Sequence, residues 1–217
     1  MKKVFAPGCA LILYKPDLVE KINQLLNDNV EYMDRFDICC RNKAEFDMPT
    51  QIVNICSGCN KRYRKDYPNV ETISIWEIIA ESDFLKFPDY HGIKMSIHDP
   101  CDFRTEPKIH AAVRKILKKM NIEIVEAEKS KNKSVCCGDS SWGVLPTSKV
   151  KEKMQERASQ MPEDNVLVYC VSCIKSMHIG GKTPFYLVDL VFGEETIIGT
   201  YEPDDWHREL EEFIKTH

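Results

Sequence analysis

Short apolar runs that end at a cysteine, each followed by a stretch whose apolar residues recur at helical spacing, set the rhythm of this chain. "KKVFAPGC" leads into "KPDLVEKINQLLN", and "GIKMSIHDPC" leads into "EPKIHAAVRKILKKM". In the latter, Ile109, Val113, Ile116, Leu117 and Met120 fall on one face of a helix. "QIVNICSGC" and "NVLVYCVSC" are each an apolar strand whose end meets a CxxC, with helix-compatible residues after it. "NIEIVEAE" predicts a further strand and "KVKEKMQERASQM" a helix behind it. Near the end, "PFYLVDLVFG" reads as a strand running into a short helix, and "DDWHRELEEFIKTH" as a closing helix capped by Asp204 or Asp205.

Strands alternating with helices predict an α/β fold with mainly parallel sheets. Because the pattern runs twice, the expected architecture is two pseudo-symmetric, Rossmann-like halves. The turn-rich "KFPDYHG" divides them, giving a first half over residues 1–90 and a second over 91–217. In such sheets ligands gather beyond the carboxyl ends of the strands, where helix N-termini offer free N–H groups and partial positive charge. The cysteines are expected there.

The 217 residues are 43% hydrophobic and 29% charged, an ordinary globular balance, and no apolar run is long enough to span a bilayer. Pro7, Gly8, Lys15, Pro16 and Asp17 interrupt the apolar N-terminal stretch before a signal-peptide core forms, so a cytoplasmic location is expected. A formal net charge of -4 argues against non-specific nucleic-acid binding. No phosphate-binding glycine loop, HExxH helix or nucleophile elbow is present, which counts against a kinase or a hydrolase.

The ten cysteines change the picture. Cys9, the pair Cys39 and Cys40, then Cys56 and Cys59 are followed by Cys101, the pair Cys136 and Cys137, then Cys170 and Cys173. The order C, CC, CxxC therefore occurs twice. Lone cysteine and pair are separated by 29 residues in one half and 34 in the other, pair and CxxC by 15 and 32. This is a diverged duplication, and the shorter link suggests a lost strand–helix unit that leaves the first site more open. Adjacent cysteines rarely bridge each other, and CC and CxxC groups in a reducing compartment favour metal. Structural zinc and a cubane iron–sulfur cluster each take four ligands, so five thiols per half exceed both.

"HDPC" at His98–Cys101, "CCG" at Cys136–Gly138 and "CVSC" at Cys170–Cys173 resemble the cysteine-rich CCG domain family. That family includes the B subunit of heterodisulfide reductase and iron–sulfur subunits of glycolate and lactate oxidation, glycerol-3-phosphate dehydrogenase and certain succinate dehydrogenases. The resemblance runs over nearly the whole chain as two tandem copies. It implies two non-cubane 4Fe-4S clusters, one on Cys9, Cys39, Cys40, Cys56 and Cys59, the other on Cys101, Cys136, Cys137, Cys170 and Cys173. The first copy departs from the pattern in carrying Arg41 where the second has Gly138. The resemblance further implies a redox protein that reduces a small disulfide-type substrate, fed by a ferredoxin-like or flavoprotein partner. A non-catalytic electron-transfer subunit of a dehydrogenase complex is the alternative, and a zinc-stabilised binding module a third reading.

Other residues take supporting places. His98 and Asp99 precede Cys101 and are candidates to orient a ligand, and Gly138 would let the backbone pass close to a cluster. Asp139 stands at a helix N-cap position, with Ser140 and Ser141 also of capping type. Arg41, Lys61, Arg62 and Arg104 flank the cysteines and suit an anionic substrate or partner; Trp76 and Trp142 are candidates to pack over a cluster. No side chain outside the cysteines stands out as a proton donor.

Overall fold

The computed structural model describes residues 1–199 and 202–217. Its contacts divide the chain into two units, Met1–Phe84 with Glu209–His217, and Leu85–Arg208. Each is built on a four-stranded, all-parallel sheet with helices between the strands.

The first unit runs β1 (Lys2–Ala6), α1 (Cys9–Tyr14), α2 (Pro16–Asn29), β2 (Asp34–Arg35), β3 (Thr50–Asn54), α3 (Ser57–Asp66), β4 (Val70–Ser74) and α4 (Ile75–Glu81). The second runs β5 (Lys94–His98), α5 (Pro107–Lys119), β6 (Glu123–Glu126), α6 (Thr147–Ser159), β7 (Asn165–Val168), α7 (Val171–Ile179), β8 (Thr183–Tyr186), α8 (Leu187–Val191) and α9 (Pro203–Thr216). The contact division assigns the end of α9, from Glu209, to the first unit.

Strand order is β2-β1-β3-β4 in one sheet and β6-β5-β7-β8 in the other, so the duplication is topological as well as sequential. In both, the chain leaves the first strand toward one side and returns on the other, which places a topological switch point beside the two central strands. Those strands end level: Ala6 pairs with Asn54, and His98 with Val168. Both faces of these strands are covered, with Phe5, Ile52, Ile97, Val166 and Leu167 fully buried. Ile109, Val113, Ile116 and Leu117 of α5 are buried as the periodicity requires.

Two expectations need correction. Both sheets have four strands, so the short link in the first unit lacks a helix and no strand: it has no counterpart of α6. The closing helix starts at Pro203, so Asp204 and Asp205 lie inside its first turn and do not cap it. No helix among the described residues is long and apolar enough to cross a membrane.

Candidate metal centres

Every cysteine follows a strand along the chain, most of them within a few residues of its carboxyl end. Cys9 follows β1 and opens α1; Cys101 follows β5. The pairs come after the edge strands β2 and β6. Cys56 and Cys170 are the N-cap residues of α3 and α7, and Cys59 and Cys173 sit in the first turns of those helices. Helix N-termini favour thiolate over thiol, which suits them to binding metal.

Within each unit the five thiols form one connected chain, in the same order. Cys9 meets Cys39, whose Sγ is 3.7 Å from its own; Cys39 meets Cys40, Cys40 meets Cys59, and Cys59 meets Cys56. The second chain is Cys101, Cys136, Cys137, Cys173, Cys170. No disulfide joins any of the ten. In each chain the first member of the pair is the acidic one. Hydrogen bonds from Cys40 and Cys9 hold Cys39 down to about 2, and those from Cys101 and Cys137, with Ser140, hold Cys136 far below an ordinary thiol. The backbone N–H two residues on also donates to it, from Arg41 at 3.5 Å and from Gly138 at 3.3 Å. Cys40, on the other side of that bond, is pushed up to about 12.

The missing helix does not expose the first group. Each group has two buried and three half-buried thiols. Phe36, Phe46, Tyr63 and Tyr67 form an aromatic wall with neighbouring centroids 5.3 to 6.4 Å apart, and Cys40, Cys56 and Cys59 pack with it. Gly8, at φ 81°, adds a close approach: a Cβ there would lie 3.1 Å from Cys56 Cβ and 3.3 Å from Cys59 Sγ. Its place directly before Cys9, where a strand turns into a helix, was the available sequence signal.

In the second unit His98 is fully buried, and a ring nitrogen of it lies within 4.8 Å of Cys137 Sγ and Cys173 Sγ. Arg157 Nε donates to His98 Nδ1 at 3.2 Å. Burial, and then the Arg157 charge, push the imidazole down to about 3, so it is neutral. Arg157 was legible as a charge on the apolar face Val150, Met154, Ala158 of α6. Asp99 is also fully buried, but its oxygens serve Arg114 at 2.9 Å twice, the Tyr169 hydroxyl at 2.5 Å and the Lys131 N–H at 2.7 Å. Its carbonyl accepts from Ser134, so Asp99 pins the loop that delivers Cys136. Ser176 Oγ donates to Cys137 Sγ at 3.3 Å.

Asp139 makes no cap. It lies within a 3-10 turn over Asp139–Ser141 and pairs with Lys175 at 2.9 Å and His207 at 3.1 Å. Trp142 stacks on His207, centroids 4.1 Å apart, and Trp76 is buried in α4. Arg104 Nε is taken by the Ser134 carbonyl, and Lys61 and Arg62 are exposed on α3. A cavity of about 250 Å³ opens beside Cys136, and the cations on it are instead Lys129, Lys153 and Arg157, with Glu156 among them.

Five thiols linked in one chain of contacts, in a partly buried setting, fit a bulky thiolate-ligated cluster, because sulfur donors select soft iron or zinc centres.

Fold and site together define a duplicated α/β protein with two five-thiol centres. The sequence model of the CCG family, described as a cysteine-rich domain, matches residues 95–178. Among curated proteins it is similar to the B subunit of fumarate reductase (CoM/CoB) from Methanothermobacter marburgensis, at 24% identity over 205 residues, 81% of this chain and 41% of that one. It is also similar to an uncharacterized iron-sulfur protein of Methanocaldococcus jannaschii, at 29% identity over 135 residues, 60% of this chain and 24% of that one. The chain thus spans less than half the length of either relative.

Proposed function

We propose that each unit holds one non-cubane 4Fe-4S cluster on its five cysteines, and that the chain is the cluster-bearing part of a cytoplasmic reductase acting on a disulfide-type substrate. The observation that carries this reading is the twofold occurrence of one five-thiol chain, which neither a four-ligand zinc site nor a cubane accounts for. Such a cluster, when bound, supplies one-electron steps. Opening a disulfide takes two electrons and two protons and gives two thiols, which is consistent with two centres in one chain.

The chain's own part is holding and admitting. Cys9, Cys39, Cys40, Cys56 and Cys59 hold one cluster, and Cys101, Cys136, Cys137, Cys170 and Cys173 the other. The cavity beside Cys136 is the way in for substrate, and Lys129 and Lys153 favour one with an anionic end. The relative named as one subunit of a fumarate reductase supports a multi-subunit setting, with electrons arriving from a ferredoxin-like or flavoprotein partner.

Iron, acid-labile sulfide and zinc are measured per chain on anaerobically purified protein, followed by EPR with and without added disulfide. About eight irons, in two clusters of four, with a disulfide-dependent signal are expected. Cys101→Ala should then lose about half of that iron. The same iron without a disulfide response assigns an electron-carrier role, and zinc without sulfide overturns the cluster reading.

A further inference from the structure

We infer that His98 donates a hydrogen bond from Nε2 to sulfur at the second thiol group, and that this donor, absent from the first group, makes the second group the place where an added electron settles. The inference rests on the cluster reading above.

The tautomer follows from Arg157. A guanidinium has donors and no acceptor, so the 3.2 Å bond from its Nε obliges His98 Nδ1 to offer a lone pair. The proton of the neutral ring then sits on Nε2. Arg157 is itself held: it is buried, and its other nitrogens donate to Gln160 Oε1 and the Lys129 carbonyl, each at 2.9 Å. His98 Nε2 is buried and has no hydrogen-bond partner among the described residues, the cysteine sulfurs included, so its proton is left for the sulfur of a bound cluster. With Nδ1 committed to Arg157, Nε2 is the free donor of a ring one of whose nitrogens lies within 4.8 Å of Cys137 Sγ and Cys173 Sγ. The same geometry excludes His98 as a ligand. Ligation through Nε2 would need the proton on Nδ1, where only a donor waits.

An N–H aimed at cluster sulfur stabilises the more electron-rich state and raises the reduction potential. The first unit has no equivalent. His98 stands three residues before Cys101 at the end of β5, and the corresponding position before Cys9, at the end of β1, is Ala6. Arg157 belongs to α6, the helix that the first unit lacks. Both parts of the device are therefore confined to one copy of the duplication.

The test is an EPR-monitored redox titration of anaerobically purified wild type, His98→Leu and His98→Gln, with the second centre's signal identified as the one that persists in Cys9→Ala. Wild type should show the second centre at the higher potential. In His98→Leu the reduced-to-oxidised ratio of that centre at a fixed potential should fall about threefold to tenfold, about 30 to 60 mV at 59 mV per tenfold. His98→Gln, which keeps an N–H donor, should recover most of it, with the first centre unmoved. Equal shifts in both variants, or no shift, would overturn the inference, as would strong nitrogen hyperfine coupling typical of a bound imidazole. If His98→Leu loses its iron, wild type labelled with 15N-histidine decides: weak nitrogen coupling with an exchangeable proton supports the donor, and no histidine coupling overturns it. Absence of iron and sulfide from wild type would remove the cluster reading itself, before any variant is compared.

Discussion

Gly138 lies against Met154 so closely that a Cβ on it would come within 2.8 Å of the Met154 amide nitrogen and 2.9 Å of its Cγ. The glycine of the CCG motif thus makes room for a helix, and its φ of 104° is a conformation other residues resist. Arg41 can stand at the matching place in the first unit because no helix is packed there. Gly138→Ala should destabilise the second unit by roughly 1 to 3 kcal/mol from backbone strain alone, with further loss as α6 is pushed away. Arg41→Gly should change stability by less than about 1 kcal/mol. Thermal unfolding of the two variants checks this; similar losses would show that the helix is not the reason for the glycine.

Much of the fold was legible because the central strands β1, β3, β5 and β7 each run into a cysteine and α5 keeps an apolar stripe, with Ile109, Val113 and Ile116. The duplication was equally plain in the spacing of the thiols. Edge strand β2 was not, because Asp34 and Arg35 are exposed and carry no apolar alternation. The difference between the two pair-to-CxxC links was read as strand plus helix, although each link carries its strand, β3 or β7, and only α6 lacks a counterpart. Asp139 looked like a cap because its type and place allow one, but its partners Lys175 and His207 come from α7 and α9, far off in sequence. Local chemistry finds caps; only the assembled fold shows an ion pair of that kind.

Asp99 and Arg114 form a two-pronged bond, both contacts 2.9 Å, with the carboxylate fully buried. Burial alone would raise the Asp99 pKa, and the Arg114 bonds and charge reverse that and hold it below the ordinary range. Asp99→Asn keeps the shape but removes the charge, so it should cost about 3 kcal/mol, the low end for breaking a buried pair, because Arg114 still has Glu126. The loop before Cys136 should loosen as well. Denaturant unfolding gives the energy, and amide exchange at Lys131 and Ser134 gives the loop. An unchanged exchange rate would leave Asp99 without a part in placing Cys136.

Asp204 ties the first turn of α9 to the start of α6 and the turn before it, accepting from Thr147 Oγ1 and Trp142 Nε1, both at 2.7 Å. Those two bonds, Thr147 first, lower its pKa. The native carboxyl is more acidic than the unfolded one, so its contribution is complete above the unfolded pKa of about 3.9 and disappears as pH falls through the lower native value. Trp142 fluorescence should report release of α9 in that acid window, and Asp204→Asn should remove the pH dependence of the signal. A transition of the same size in the variant would assign it to other carboxylates.

Asp139 and Lys175 offer the most discriminating test of how the second unit is held. Lys175 is 4% exposed, 2.9 Å from Asp139 and 5.6 Å from the centre of the Trp206 ring. Asp139→Asn strands that ammonium in a nearly dry site and should cost about 3 to 5 kcal/mol. Lys175→Met should cost clearly less, since Asp139 keeps His207 at 3.1 Å and the new thioether fills the space against Trp206. The double variant has no stranded ammonium and should be more stable than Asp139→Asn alone, which makes the coupling between the two positions larger than about 1 kcal/mol. Unfolding free energies of the four proteins complete the cycle. Additive losses would mean that the ammonium finds water or another acceptor, and that the pair is not what fixes α7 against the turn after Cys137.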